Sequence, residues 1–242
     1  MLFYGIDWTY IVLVLPTIVF ALWASAHVNS TFKKYGKIRN MRGMTGAQAA
    51  QAVLSANGVS GVRIERISGS LTDHYDPKTN VIRLSEDVYD APTPAAVGVA
   101  AHEAGHAVQY AENYAPIKLR SAIVNVTNIG SKLSMPLILI GILMMSISSL
   151  AKVSRFFYYV ALAGVLCYGL CVIFQLVTLP TEFNASRRAV KAIEGSSLLT
   201  AEEQKGARKV LSAAALTYVA ALATTLAQFL RLLLLVGGRR RD

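Results

Sequence analysis

Three uncharged apolar segments dominate the sequence, and each is long enough to cross a lipid bilayer. They are residues 8–26, 133–150 and 156–179. A membrane-spanning helix needs roughly 20 apolar residues, because the hydrocarbon core of a bilayer is about 30 Å thick. The composition agrees, since 54% of the 242 residues are hydrophobic and only 16% are charged. We therefore predict an integral membrane protein with the lipid bilayer as one partner.

Basic residues are distributed unevenly around the first apolar segment. No Lys or Arg precedes it, whereas five follow it within a short stretch: Lys33, Lys34, Lys37, Arg39 and Arg42. Flanks rich in Lys and Arg stay in the cytoplasm, and a cleaved signal peptide would carry a basic segment before its apolar core. We therefore predict a retained anchor over residues 1–26, with the chain from residue 27 onward in the cytoplasm.

The second and third segments predict a helical hairpin over residues 132–180. Only the short sequence AKVSR (151–155) separates them, and its two basic residues are fewer than the five that follow the anchor. That difference favours an external turn between the two spans. The hairpin would return the chain to the cytoplasm, so residues 27–131 and 181–210 are expected on the same side.

The last segment, residues 211–242, allows two interpretations. Its apolar part, 211–238, is long enough to cross the membrane, but a polar stripe recurs along it at helical spacing: Thr217, Thr224, Thr225, Gln228 and Arg231. A helix packed on the other spans and a helix lying on the bilayer surface would both explain the stripe. We favour a fourth span, which would place the three arginines at 239–241 outside.

The net charge of +10 does not indicate nucleic-acid binding. The sequence has no run of Lys and Arg interleaved with aromatic residues of the kind that stacks on bases. Basic loops that anchor a membrane protein account for the charge instead. We therefore expect no nucleic-acid partner.

The polar region after the anchor predicts an α+β arrangement. Its helices begin at good N-cap residues and its strands alternate apolar and polar positions. The predicted elements are a helix from Thr45 to Gly58, strands over 62–67 and 80–85 joined by a turn over 72–79, and a helix over 94–112 capped by Thr93 with Pro94 in its first turn.

The last of these helices carries the sequence His102-Glu103-Ala104-Gly105-His106. Residues four apart lie on one face of a helix, so both imidazoles can bind one ion at about 2.0–2.1 Å, the distance that zinc prefers. The Glu103 side chain is rotated around the helix axis from the two histidines, so it can accept a proton from a water at the ion without being a ligand itself. The pattern predicts a Zn²⁺ site with Glu103 as general base.

A helix with two coincidental histidines is the alternative, because so short a motif also arises by chance. The surroundings argue against it. Glu103 is the only charged residue between Asp90 and Glu112, in a run rich in Ala, Gly and Val. A carboxylate and two imidazoles buried among such residues need a polar partner, and a metal ion supplies one.

Catalytic zinc usually has three protein ligands, and the third is not settled by spacing. Glu182 is the best-placed candidate, because Thr181 could cap a new helix that emerges from the membrane with Glu182 in its first turn. A carboxylate there could equally serve the helix dipole alone. The other candidates are the histidines and acids His27, His74, Glu112, Asp76 and Asp87.

Three motifs, with membrane segments between the last two, closely resemble the YugP-like neutral zinc metallopeptidases. They are LTDHYDPKTNVIRLSEDVY (71–89), GVAAHEAGHAVQYA (98–111) and LPTEFNASRRA (179–189). The resemblance implies a bacterial plasma-membrane protein, mainly α with a small α+β zincin-like catalytic domain and three or four transmembrane helices. It also implies zinc-dependent cleavage of polypeptide substrates.

A more distant similarity to the HtpX and CAAX-prenyl-protease group assigns further residues. That group's third zinc ligand begins an E-(aromatic)-x-A-D motif, which here falls on Glu182 to Ala185, with Ser186 in place of the acid. The similarity therefore implies Glu182 as ligand. It also implies a substrate-binding edge strand around Asp73, His74 and Tyr75, in which His74 or Tyr75 could donate a hydrogen bond to the oxyanion. Alternatively, Asp73 and Asp76 only shape a turn and His74 is simply exposed.

These arguments lead to a membrane zinc endopeptidase that acts on membrane-associated or unfolded proteins, with ligands His102, His106 and Glu182. Two alternatives remain. One is a non-catalytic membrane scaffold braced by zinc, although a structural site needs no base and usually closes all four positions. The other is an intramembrane protease with an Asp ligand, although no N-P-D-G or L-D-G segment is present.

Overall fold

The computed structural model describes residues 8–147, 150–196 and 198–238. The chain is 78% helical with one small sheet, as the sequence predicts for a mainly α membrane protein with an α+β part. The helices are α1 (Leu15–Tyr35, after a π-helical segment Tyr10–Val14), α2 (Gly46–Ala56), α3 (Glu86–Tyr89), α4 (Pro94–Ala111), α5 (Ala115–Ile147), α6 (Ala151–Gly195) and α7 (Ala201–Gly238).

Four helical segments within these residues are long and apolar enough to cross a membrane. They are Tyr10–Tyr35, α5, α6 and α7. Helix α7 therefore satisfies the length and composition expected of a fourth span. The predicted arginine cluster at 239–241 and the start of the anchor before residue 8 lie outside the described residues.

The chain forms two compact units. The first contains the described residues of 1–22, 119–179 and 219–242, and the second contains Trp23–Lys118 and Pro180–Tyr218. Helices α1, α5, α6 and α7 each contribute residues to both units.

Glycines bring two helices of the first unit into close contact. A Cβ on Gly141 of α5 would lie 2.6 Å from the backbone nitrogen of Ala161 in α6, and one on Gly164 would lie 2.7 Å from the Ser134 carbonyl oxygen. Small residues allow such approach, which drives helix association inside a bilayer. The polar stripe of α7 also has partners here, because the Thr224 hydroxyl lies 3.3 Å from the Thr17 carbonyl oxygen.

The second unit holds a three-stranded sheet in the order β1-β3-β2. Its strands are β1 (Arg63–Ile67), β2 (His74–Asp76) and β3 (Val81–Ser85). Strand β3 is central and buried, pairing parallel with β1 and antiparallel with β2. The open edge of β2 borders the functional site described below.

The predicted turn over 72–79 is too long, because β2 occupies its middle. The turn begins only at Asp76, whose carboxylate accepts hydrogen bonds from the Lys78 N–H and the Thr79 hydroxyl. Those bonds, with the Arg83 side chain, lower the pKa of Asp76 to about 2. A turn this tight leaves His74 and Tyr75 free to pair with β3.

Helix α2 packs against α4 and covers one side of the core. Thr45 caps its start, as the sequence predicts, and forms a reciprocal capping box with Gln48. Gly58 has a positive φ just after the end of the helix. The core beneath is built of small side chains, among them Ala49, Ala100 and Ala104, which let the helices lie close together.

The predicted helix start at Thr181 is wrong. Helix α6 runs unbroken from Ala151 to Gly195 with Pro180 inside it, so Glu182 lies in the middle of a long helix. Proline fixes φ near the helical value, and helices of membrane proteins tolerate the missing N–H where neighbouring groups satisfy the freed carbonyl.

Two further predicted boundaries differ from the structure. The sequence AKVSR (151–155), expected to link two spans, forms the start of α6. The helix predicted over 181–210 is divided between α6, which ends at Gly195, and α7, whose start is capped by reciprocal hydrogen bonds between Thr200 and Glu203. A strong local cap at Thr200 explains why α7 begins before its apolar part.

Candidate metal centre

His102, His106 and Glu182 form a buried cluster in the second unit. Each Nε2 atom of the two histidines lies 3.3 Å from Oε2 of Glu182. The two rings are nearly perpendicular, with centroids 4.7 Å apart. One helical turn separates the histidines on α4, and α6 supplies the carboxylate.

The separation of these atoms fits a tetrahedral ion. Ligand atoms bound to zinc at about 2.0–2.1 Å in tetrahedral geometry lie about 3.3–3.4 Å from one another. The two observed nitrogen–oxygen distances are 3.3 Å. Two imidazoles and one carboxylate are also the donor types of catalytic zinc sites. The residue types and these two distances therefore fit a zinc ion.

A glycine allows the two ligand-bearing helices to meet. A Cβ on Gly105 of α4 would lie 2.8 Å from the Ala185 carbonyl oxygen of α6, which is closer than such atoms approach. Gly105 lies between the two histidines, and Ala185 lies three residues after Glu182. The close packing of α4 on α6 is thus what carries the Glu182 carboxylate to the imidazoles.

Each histidine has a neutral partner at its second ring nitrogen. Ser186 Oγ lies 3.1 Å from Nδ1 of His102, and Gln109 Oε1 lies 3.0 Å from Nδ1 of His106. An amide oxygen only accepts, so Nδ1 of His106 carries a proton and Nε2 is the ring nitrogen that faces Glu182 and could bind a metal ion. Such contacts fix the orientation and tautomer of a ligand histidine.

Gln109 was not predicted from the sequence, yet it joins the two helices at the site. Its side chain is fully buried, and its Nε2 donates to the Thr181 carbonyl oxygen at 2.8 Å and to Asn184 Oδ1 at 2.9 Å. One signal was available: Gln109 is an uncharged polar residue three positions after His106 in an otherwise apolar helix. Buried amides of that kind need partners, and here the partner is a histidine of the cluster.

Glu103 lies beside the cluster and is itself almost fully buried. Its Oε2 accepts a hydrogen bond of 3.0 Å from the Tyr75 N–H on the open edge of β2. Asp73 lies nearby, where its carboxylate accepts hydrogen bonds from the backbone and hydroxyl of Ser85. Burial raises the pKa of Asp73, the Ser85 hydrogen bonds oppose this, and the negative charge of Glu103 adds to the rise.

His74 and the Tyr75 side chain point to other partners. His74 is exposed, with Nδ1 2.8 Å from the Thr72 carbonyl oxygen. The Tyr75 hydroxyl donates to Asn80 Oδ1 at 2.7 Å, and its ring lies against Tyr110. Only the backbone of Tyr75 reaches Glu103.

Glu182 alone among the candidate third ligands lies with the two histidines in the part of the chain that the structure describes. Asp76 belongs to the turn and Asp87 is exposed on α3. His27 stacks on Trp23. Glu112 forms an ion pair of 2.7 Å with Arg188, and the hydrogen bond from Arg188 lowers the pKa of Glu112.

Comparison with known proteins identifies the class. A family model described as "Putative neutral zinc metallopeptidase" matches residues 10–237, and the chain belongs to this family. Zinc is accordingly its cofactor, and the buried His–His–Glu group can hold it. This confirms the resemblance recognised from the three motifs.

One relative is close along its full length. The chain is 40% identical over 231 residues to "Putative membrane protease YugP" of Bacillus subtilis (strain 168), covering 95% of this chain and 98% of that protein. No solved structure matches the chain. Together with the four apolar helices, these findings make the chain a membrane protein of a zinc metallopeptidase family.

Proposed function

We propose that the chain is an integral-membrane zinc endopeptidase of the HExxH…E type that hydrolyses membrane-associated or unfolded polypeptides. His102, His106 and Glu182 are the zinc ligands, and Glu103 is the general base. One observation carries the proposal: a buried His–His–Glu group with a fourth side chain, Glu103, held beside it by the Tyr75 N–H. A metal site with an oriented carboxylate that is not a ligand has what hydrolysis requires.

When bound, zinc supplies a Lewis acid that acidifies the attacking water and polarises the scissile carbonyl. Glu103 accepts the proton of that water and passes it to the leaving amine, with no covalent intermediate on the protein. The Tyr75 N–H holds one oxygen of Glu103 and leaves the other for proton transfer. Ser186 and Gln109 keep the two imidazoles in place during this step.

Strand β2 is the proposed docking edge for the substrate backbone, except for its Tyr75 N–H, which already donates to Glu103. It is an edge strand, because the sheet order is β1-β3-β2. Addition of an extended peptide would hold the substrate by its main chain and tolerate many sequences. His74 is the proposed oxyanion donor. Its Nδ1 lies 2.8 Å from the Thr72 carbonyl oxygen, so Nε2 is the ring nitrogen left to face the oxyanion.

Two observations favour this proposal over the alternatives. Helix α4, which carries the HExxH motif, is not among the four candidate spans of the described chain, in contrast to what an intramembrane protease needs. A zinc-braced scaffold would not require Glu103 to be buried and oriented beside the metal ligands.

Proteolysis by the purified protein in detergent separates an enzyme from a scaffold. We expect it to degrade unfolded casein, to stop when a zinc chelator is added, and to recover when zinc is restored. A scaffold would release its zinc to the chelator and show no cleavage before or after. Absence of chelator-sensitive cleavage with fully zinc-loaded protein would therefore refute the proposed activity.

The site is proposed to face the cytoplasm. The five basic residues that follow the first span support this orientation. In that topology residues 1–26 anchor the chain, 27–131 and 181–210 are cytoplasmic, 132–180 form the hairpin, and 211–242 contain the fourth span.

Reporter fusions test the orientation. We expect a cytoplasm-active reporter joined near Gly69 or near Gly195 to be active, because both positions follow the basic side of the first span. A reporter near Leu150, in the predicted external turn, serves as the opposite control. If a second reporter, one that works only outside the cell, is active at Gly69 or Gly195, the topology is wrong.

A further inference from the structure

A cavity of about 140 Å³ opens directly beside the metal cluster in the second unit. His102 and Glu103 form part of its wall, so it adjoins the position where the scissile bond must lie. The rest is formed by three helices and the segment before β2: Val28 and Phe32 of α1, Val99 of α4, Ala214 and Tyr218 of α7, and Leu71.

The chemistry of the wall selects one class of side chain. Most of the lining is aliphatic or aromatic, which favours an apolar occupant. Its charged members are two carboxylates, Asp73 and Glu103, so an acidic occupant would be repelled. An engineered apolar cavity of about 150 Å³ holds a benzene molecule. The space therefore suits a side chain of the size of leucine, methionine or phenylalanine.

Leu71 at the rim has an unusual backbone conformation. Its φ is 56°, in the left-handed region that side chains other than Gly and Asn rarely adopt, and its side chain is exposed. Strained residues of this kind persist where the surrounding structure requires them, and they concentrate at ligand-binding sites. The strain holds an apolar side chain at the entrance of the cavity.

We propose that this cavity is the specificity subsite of the peptidase. It receives the side chain of a substrate residue that flanks the scissile bond, prefers medium-sized apolar residues, and rejects Asp and Glu. The inference rests on the proposed peptidase activity and adds the substrate preference.

Peptide binding tests the subsite without requiring turnover. The probe is a short fluorescent peptide of Gly, Ser and Lys that carries a single Leu, together with its Ala and Glu counterparts. Zinc-loaded Glu103→Gln protein provides the receptor, in which Asp73 remains as the wall carboxylate that repels an acidic side chain. We expect the Leu peptide to bind at least about tenfold more tightly than the Ala peptide, the usual discrimination of an apolar pocket. The Glu peptide should bind most weakly.

Two substitutions on α7 form a matched pair in the same background. Ala214→Leu fills the cavity and should abolish the preference for Leu over Ala. Ser212→Leu adds the same side chain to an exposed position that lines a different groove, and should leave the preference intact. Val99→Ala enlarges the cavity and should improve binding of a peptide with Phe in place of Leu.

The outcomes separate the subsite from the activity. Equal affinity for the Leu, Ala and Glu peptides, or a Leu preference that survives Ala214→Leu, would overturn the subsite. A lipid copurified in the cavity, together with no peptide preference, would do the same. A Leu preference that Ala214→Leu removes would support the subsite, whether or not the wild-type protein cleaves casein. Absence of chelator-sensitive cleavage by the wild-type protein would refute only the peptidase activity.

Discussion

Glu103→Gln is expected to lower the turnover of an unfolded protein substrate by at least about 100-fold, the usual contribution of a general base. Glutamine keeps the size of the side chain and an oxygen that can accept the Tyr75 N–H bond of 3.0 Å. It removes the basic oxygen that takes the proton from water. Zinc content and thermal unfolding should stay at wild-type values, because Glu103 is not one of the three clustered metal-binding groups.

Glu112→Gln is the matched control for this experiment. It makes the same chemical change at the C-terminal end of α4, where Glu112 forms an ion pair with Arg188. It should retain near wild-type turnover. In the same assay His74→Ala should lower kcat more than it changes KM if His74 stabilises the oxyanion. Near wild-type cleavage by Glu103→Gln would show that another residue is the base.

Glu182→Gln is expected to lose most of its bound zinc on purification. Its Oε2 lies 3.3 Å from both histidine Nε2 atoms, so one carboxylate completes the ligand set of two imidazoles from a single helical turn. The amide keeps an oxygen in the same place but removes the negative charge that stabilises a dication in a buried site. Metal analysis of the purified protein measures the result directly.

Three acidic residues provide controls for the zinc measurement. Asp76→Asn, Asp87→Asn and Glu112→Gln should each retain zinc, because none of these side chains belongs to the cluster. Full occupancy in Glu182→Gln combined with an empty site in one of the three would mean that the third ligand is misassigned.

Gln109→Leu should give an intermediate result in the same measurement. Loss of the Gln109 contacts to His106, Thr181 and Asn184 leaves the ligands present but less well oriented. Removal of a group that orients a metal ligand typically weakens metal binding about 10–100-fold. Gln51→Leu, at an exposed position of α2, is the matched control and should not change zinc affinity.

Neutral groups orient both ligand histidines in this protein. The related group that the sequence resembles has an acid where this chain has Ser186, and the structure places Ser186 Oγ 3.1 Å from Nδ1 of His102. A carboxylate partner raises the basicity of a ligand imidazole, whereas a hydroxyl or an amide raises it less. If His102 and His106 bind zinc as proposed, Ser186 and Gln109 would leave both imidazoles weaker donors than carboxylate partners would.

The sequence alone determined the membrane-length helices, the shared face of His102 and His106, and two helix caps, because each of these depends only on residues close together in the chain. The apolar segments had to be helices of membrane length, because an isolated backbone in lipid must satisfy its own hydrogen bonds. The spacing of His102 and His106 placed both on one face of a helix, since four residues make about one turn. The caps at Thr45 and Thr93 are local for the same reason and agree with the structure.

Local rules failed at Pro180 and over residues 72–79, where neighbouring groups outside the segment decided the conformation. Proline predicts a helix boundary, yet α6 continues through it. The residues around Asp76 predict one long turn, yet His74 and Tyr75 form a strand because β3 offers them a partner. Tertiary pairing with β3 overrode the local preference at His74 and Tyr75.

Only the tertiary structure decided which residues complete the site. The acids Glu182, Glu112, Asp76 and Asp87 were all compatible with spacing. The helix start expected at Thr181 favoured Glu182, and the family resemblance favoured it further. Contact between α4 and α6 at Gly105 and Ala185 brings Glu182 to the histidines, together with the unforeseen Gln109 and the cavity beside Glu103. Such contacts depend on how closely two helix backbones can approach each other. At this site the approach is possible because Gly105 has no side chain and because the surrounding residues of both helices pack together. The sequence of either helix alone does not reveal this.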